Sequence, residues 1–430
     1  MELTLFRGKA IENNQRIDYF YSFLIAFFVF WSISGYGSIA NYLSALSAIV
    51  LLLYIFLTKR GLHFYNKESK TATLFLILFF AYHSLTSLAN VNDWYYWLGN
   101  VIFYVFISYF PFLIVNDLIS VRNRRTQLFV LQLSLFIWAA IAIFSIVTYL
   151  KNPELARDAI VYQNEYDNLF IGGGYYLAYG SCILCVFIFG LIKKGFFRKK
   201  SVRIGLLLLV LLLALHVYLT KSTLTTVWLF VGLLFELIFY RKRETAHGKA
   251  TQLAFVVSLV VLIAAFYLFK GYLGNFLTSN FDYSSDALYS RRLYELGTML
   301  TGDSITRHTY ERLSKPLMSW SQFLTSPVFG IGYKYGYVFS EMKISGLGTH
   351  SEIVDTLAKY GLIGFTLWAF FIFFYIKSIK KTLDVSALNM WWIILAALMF
   401  FNPFISLPST SALLLIVPLI SVFAKEKRNE

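Results

Sequence analysis

The chain has 430 residues, of which 58% are hydrophobic, 19% aromatic and only 14% charged. A soluble domain carries about 25% charged residues, so this composition excludes a protein that faces water over most of its surface. The net charge of +15 does not call for nucleic acid, because clusters such as Lys193-Lys194, Arg198-Lys199-Lys200 and Arg241-Lys242-Arg243 are what segments beside anionic headgroups carry.

Crossing about 30 Å of hydrocarbon takes roughly 20 apolar residues. Twelve such runs are expected, near residues 18–37, 39–58, 71–90, 96–115, 127–149, 172–192, 204–220, 223–240, 252–270, 360–377, 388–402 and 409–424. The last two are short and separated by Asn402-Pro403. The amino-terminal tail, the loops after spans 2, 4, 6, 8 and 10, and the carboxyl tail together hold 26 of the 38 Lys and Arg residues. Cytoplasmic segments carry the basic excess, which puts both tails in the cytoplasm. Basic residues precede the first run without a convincing cleavage site, so it reads as a retained signal anchor.

The expected fold class is therefore all-α: a polytopic membrane protein of about 12 transmembrane helices, with one long outer-face loop. Residues 1–270 hold spans 1–9, residues 271–359 the large external loop, and residues 360–430 spans 10–12 with the cytoplasmic tail. No repeat relates the two halves.

In chain order, His83 and His216 fall near the outer ends of their spans, where interhelical hydrogen bonding is expected. Trp94, Tyr95, Tyr96 and Trp97 form an interfacial aromatic belt. Residues 150–171 make a medium loop of mixed charge (Glu154, Arg157, Asp158, Glu165, Asp167). Cys182 and Cys185 have CxxC spacing, but with no second pair to complete a metal site they read as small packing residues on one helix face. Glu236, an acid near the inner end of span 8, calls for a structural partner. Lys221 and Lys270 are placed at the outer headgroups.

The loop from about Gly271 to Tyr360 is far longer than a connection needs, which implies work outside the membrane. Two amphipathic helices are expected in it. The first runs Asp286–Leu300 behind Ser284-Ser285 as cap candidates. The second runs Lys315–Leu324, with Pro316 in its first turn and Ser326-Pro327 stopping it. Helices of this kind often lie in the membrane interface and close over a site.

The stretch with most chemistry is residues 326–364. It opens on the turn Gly330-Ile331-Gly332, where backbone can approach a ligand closely. It ends with His350-Ser351, nine residues, and Gly361-Leu362-Ile363-Gly364. This resembles the O-antigen ligase and polymerase superfamily, whose pattern is His, then Asn, Ser or Gln, nine residues, Gly, two residues, and Gly, Thr or Tyr. Upstream, Glu311-Arg312-Leu313 leading to Ser326-Pro327-Val328-Phe329-Gly330 resembles the family's arginine followed by a Pro-x-x-Gly-x-Gly turn. Arg292 with Leu296 fits the Arg-x3-Leu pattern of its ligase-like members. The motifs cover the carboxyl-terminal third; span count and the long outer loop extend the likeness over the whole chain. At the family's Ser-Arg-Gly-like element this chain has Leu219-Thr220-Lys221-Ser222-Thr223. Threonine stands where arginine would, and Lys221 offers a point charge instead of a fork.

The resemblance implies a C-type glycosyltransferase-like fold and an inverting, metal-independent transfer with no cofactor. A hydroxyl of one glycan attacks the anomeric carbon of another, and undecaprenyl diphosphate leaves. Catalytic roles fall to His350, as acceptor of the hydroxyl proton or hydrogen-bond donor to the diphosphate, and to Arg312 at the departing phosphate. Arg291, Arg292, Arg307, Lys221, Gly330 and Gly332 are substrate-binding candidates; Glu341, Glu352 and Asp355 are rival bases. The implied partners are undecaprenyl-diphosphate-linked oligosaccharide donor and acceptor, membrane lipids and a chain-length regulator, without nucleic acid.

The expected activity is polymerisation of repeat units into an O-antigen or capsule at the outer face of the bacterial inner membrane. A ligase that transfers glycan to lipid A-core shares the donor chemistry. The rival from another class is a lipid-linked oligosaccharide flippase; the lack of half-repeats and the late outer loop count against it. A metal-dependent glycosyltransferase is disfavoured further, since the first outer loop, Ser34-Gly35-Tyr36-Gly37-Ser38, holds no acid.

Overall fold

A computed structural model describes residues 17–34, 37–58, 63–88, 104–152, 174–239, 268–284, 288–301, 307–332, 335–336, 343–344, 347, 351–383, 389–402 and 404–429. The chain is an all-α polytopic membrane protein. Its helices are α1 Tyr19–Ile33, α2 Gly37–Leu57, α3 Lys67–Leu88, α4 Tyr104–Val121, α5 Arg124–Lys151, α6 Gly174–Lys193, α7 Lys200–Leu219 and α8 Thr223–Phe239. They continue with α9 (residues 268–280), α10 Leu288–Thr301, α11 Arg307–Thr325, α12 Glu352–Leu383 and α13 Asn389–Phe401. The last, α14, is α-helical over Leu407–Thr410, π-helical over Ser411–Ile416 and α-helical again over Val417–Asn429. One antiparallel pair of two-residue strands, Tyr335–Gly336 with Lys343–Ile344, lies in the loop before α12.

Among the described residues, six helices are long and apolar enough to cross a membrane: α3, α5, α6, α7, α12 and α14. Shorter apolar helices at Tyr19–Ile33, Tyr42–Leu57, Val105–Val121, Leu224–Leu237 and Trp391–Phe401 fall on five further expected spans. The ninth, 252–270, lies outside the described residues but for its end in α9, and the aromatic belt at residues 94–97 lies outside them too. Helices α6 and α14 are buried nearly all round, as helices apolar on every face must be. Peripheral helices turn apolar side chains outward instead. On α7, Leu208, Leu211 and Leu215 are 61%, 65% and 47% exposed, at helical spacing on one lipid-facing stripe.

With lipid as solvent, association rests on close packing and a few hydrogen bonds of about 0.6 kcal/mol each. Trp138 Nε1 donates to Ser181 Oγ (3.0 Å), and Trp368 Nε1 to Tyr109 Oη (2.9 Å). Cys182 and Cys185 are free and buried, their thiols turned to the carbonyls of Thr225 and Val210 on the neighbouring helices. This is the packing role that their spacing suggested.

Charges cluster at one end of the bundle. Asp18 caps α1 by accepting from Tyr21 N (3.1 Å), accepts from Tyr54 Oη (3.0 Å), and pairs with Arg122 (2.5 Å). Arg122 also reaches Asp117 (3.3 Å) and lies over the Tyr21 ring (3.8 Å). Asp18 N donates to Thr126 Oγ1 (3.0 Å), so α1, α2, α4 and α5 meet in one network. Glu236 finds its expected partner at the same end. Lys194 lies 3.6 Å away, with both side chains 6% exposed.

Several expected details shift. The fourth span was placed at 96–115, but α4 runs on to Val121 with Pro111 inside it. Its polar end is tolerated because Asn116 donates to Phe112 O (2.9 Å) and Asp117 meets Arg122. The second amphipathic helix starts at Arg307, so Pro316 sits inside it. An interior proline costs about 3 kcal/mol; burial of Ser319 and Phe323 beyond it holds the helix together. Ser284 binds Asp282 (2.9 Å from its amide) in a turn before α10. His216 stacks on Tyr149 at 6.2 Å. Neither of its ring nitrogens is hydrogen-bonded among the described residues, so ring packing stands where a hydrogen bond was expected.

Candidate functional site

Helix α11 ends at Thr325, and the chain turns through Ser326 to Gly332 against a break in α12. The break is at Gly361, whose φ of 59° and ψ of −167° belong to a region open essentially only to glycine. In an unbroken helix the amides of Leu362 and Ile363 would bond the carbonyls of Ala358 and Lys359. Here all four groups are satisfied by the turn. Leu362 N donates to Pro327 O (2.8 Å) and Ile363 N to Val328 O (3.2 Å), while Ile331 N donates to Ala358 O (2.9 Å) and Gly332 N to Lys359 O (2.8 Å). The turn is thus inserted into the helical ladder, and no backbone group at the break is lost.

Both halves of the motif now have a physical reason. Gly330 (φ 76°) and Gly361 pack backbone to backbone: a Cβ on Gly330 would land on Lys359 O, and one on Gly361 would land on Val328 O. At Gly364 a Cβ would lie 2.7 Å from the Tyr82 ring, and Tyr82 Oη donates to Phe329 O (2.9 Å). Beneath the junction, the His83 ring meets the Tyr360 ring edge-on at 5.3 Å, and Ser87 Oγ lies 3.4 Å from His83 Nδ1.

Side chains lock α11 onto the start of α12. Ser319 Oγ donates to Asp355 Oδ1 (2.5 Å), and Phe323, Ile331, Leu347 and Ala358 form a small core of their own. Ser351 is fully buried and caps α12, its Oγ accepting from Val354 N (3.3 Å). Glu352 Oε2 accepts from Phe404 N (3.1 Å) and Ile405 N (3.0 Å), and Glu352 N donates to Asn402 O (3.1 Å). The α13–α14 linker is thereby held against the residues that follow His350.

Among the expected site residues, Gly330, Gly332, Glu352 and Asp355 meet at this junction. Arg307 and Arg312 lie on α11, which the junction anchors, though their side chains lie outside the described residues. His350 and Glu341 lie outside them too, His350 being covalently next to the buried Ser351. Arg291, partly buried, and Arg292, whose side chain is not among those described, are on α10. That helix is tied to α9 where Gly297 meets Gly274. Lys221 sits at the α7–α8 turn with a positive φ of 53°, ending α7 in the left-handed conformation. Sequence reasoning missed the Ser319–Asp355 bond, the Glu352 latch and the support from Tyr82. Each joins residues far apart in the chain and leaves no periodic signal.

Residues 207–369 match the family model described as O-antigen ligase. Over those residues the chain is similar to the O-antigen ligase and polymerase superfamily. No curated protein matches the chain. The matched region begins in α7, takes in residues 271–359 and ends in α12 beyond Gly364, so the junction lies wholly within it. That match supports a membrane glycosyl-transfer function of the ligase/polymerase type.

Proposed function

We propose that the chain polymerises undecaprenyl-diphosphate-linked oligosaccharide repeat units into a surface polysaccharide by metal-independent, inverting transfer. The residues act at the outer face of the inner membrane, with both termini cytoplasmic and residues 271–359 forming the external loop. The observation that carries this reading is the hydrogen-bond exchange at Gly361 (2.8–3.2 Å), which fixes the helix bearing Arg312 against the segment that follows His350.

Breaking the bond between the anomeric carbon and the diphosphate builds negative charge on the leaving oxygens. A guanidinium held by a rigid helix stabilises that charge more in the transition state than in the ground state. Arg312 takes this role, with Arg291, Arg292, Arg307 and Lys221 contributing to binding. His350 accepts the proton of the attacking hydroxyl as the new glycosidic bond forms. Glu352 and Asp355, committed to Phe404, Ile405 and Ser319, act by holding this segment in place.

A ligase reading has a specific support of its own, the family description, and differs only in the acceptor. In a purified assay with a synthetic lipid-diphosphate repeat unit, His350→Ala and Arg312→Ala should each slow transfer by about 10²–10³, as loss of one stabilising donor does, with unchanged melting temperature. Wild-type rates in both well-folded variants would remove these residues from the mechanism. Glycan moved only onto an added lipid A-core acceptor would replace the polymerase with the ligase.

A further inference from the structure

At the end of the bundle away from the Gly361 junction, a cleft of about 400 Å³ opens between the start of α3, the end of α4, and α12 and α14 near their carboxyl ends. Its lining includes the polar Tyr65, Lys381, Thr382 and Lys425 and the apolar Ile119 and Val422. Its depth is that of the bilayer interface, because the cleft lies where α3 begins at Lys67, α4 ends at Val121 and α12 ends at Leu383.

The polar groups retain capacity for an anion. Lys381 gives two contacts to Glu68, at 2.9 and 3.2 Å. An ammonium has three hydrogens, and the Lys381 side chain is 56% exposed. Lys425 is exposed and has no ion-pair partner among the described residues. Tyr65 Oη accepts from Ser378 Oγ (2.5 Å), which leaves its own proton to donate. Lys377, whose ammonium lies over the Phe374 ring at 5.8 Å, adds a further positive charge nearby. Among the described residues, the carboxylate of Glu68 stands against these.

We propose that this cleft binds the headgroup phosphate of an anionic phospholipid, its glycerol and first methylenes resting on Ile119 and Val422. The apolar part of the lining is what separates a lipid from a free anion. A soluble phosphate would use the lysines alone, whereas a lipid also gains from the methylenes it buries. The site stands apart from the glycosyl-transfer residues and does not depend on the reading of their reaction.

The test is native mass spectrometry of the full-length protein in detergent, titrated with phosphatidylglycerol and, separately, with phosphatidylcholine of the same acyl chains. Each lysine near an anionic lipid contributes about a fivefold gain in affinity. Lys425→Ala, which breaks no ion pair among the described residues, should therefore weaken binding of one phosphatidylglycerol about fivefold. The Lys381→Ala/Lys425→Ala double variant should weaken it roughly twenty-five-fold. Lys199→Ala/Lys200→Ala, with the same charge loss at exposed positions where α7 begins, should change it less than about twofold. Equal losses in the two double variants, or equal binding of the two lipids, would overturn the proposal. So would displacement of the lipid by an equimolar amount of inorganic phosphate, which would make this a site for free anions.

Discussion

Gly361→Ala is expected to destabilise the protein by about 2–6 kcal/mol and to abolish glycosyl transfer at temperatures where the wild type is active. The estimate joins about 1–3 kcal/mol of backbone strain, since the φ of 59° and ψ of −167° are open essentially only to glycine, with about 1–3 kcal/mol of overpacking. The new Cβ meets backbone, namely the Val328 carbonyl and the Gly330 amide, and backbone held by four hydrogen bonds cannot rotate away as a side chain can. Gly330→Ala should cost a similar amount, because its Cβ meets Lys359 O and Gly361 N. The double variant should cost less than the sum, since either substitution alone already opens the same junction. Gly205→Ala is the matched control: no atom lies within 4 Å of a Cβ there, and alanine is the better helix former by up to about 1 kcal/mol. Thermal unfolding in detergent reads all four. A Gly361→Ala protein with wild-type melting temperature and activity would show that the junction does not hold the site.

Lys194→Ala should be the most damaging change at the opposite end, costing about 3–5 kcal/mol. It leaves Glu236, 6% exposed, without its cation. Relief by movement is blocked by close packing, since Gly190 lies close enough that a Cβ there would stand 3.1 Å from the Glu236 carboxyl carbon. Lys194→Met combined with Glu236→Gln should recover most of the loss, because the penalty belongs to the stranded charge and not to the pair. Unfolding measurements on single and double variants decide the matter; equal destabilisation by both would mean that the pair acts by packing alone.

How far these features could be read from the sequence depends on the range of the interaction behind each. Apolar runs of helical length are local, so the helices appear where the hydrophobic stretches are, and α12 reaches its apolar part just past Gly361, as the expected boundary at residue 360 requires. The requirement for glycine at 330 and 361 was also legible, but not its cause. The sequence suggests backbone close to a ligand, whereas the structure brings the two motif halves close to one another. Glu236 was legible as an acid in need of a partner, but not the identity of that partner: Arg241-Lys242-Arg243 is the basic cluster nearer in sequence, and Lys194 is brought in by packing. The Asp18–Arg122–Asp117 network was not legible, because Asp18 and Arg122 are 104 residues apart and no local pattern links them. Pro316 shows the limit of a local rule, since its place inside α11 depends on the surface of α12.

The most direct measurement is turnover by purified wild-type protein, with EDTA present, on a synthetic undecaprenyl-diphosphate repeat unit. Polymerisation should give a ladder of lengthening glycan, with one lipid diphosphate released for each bond formed. A chain that yields no ladder and releases no lipid diphosphate, yet carries the lipid-linked glycan across a proteoliposome membrane, would contradict it and make the protein a transporter.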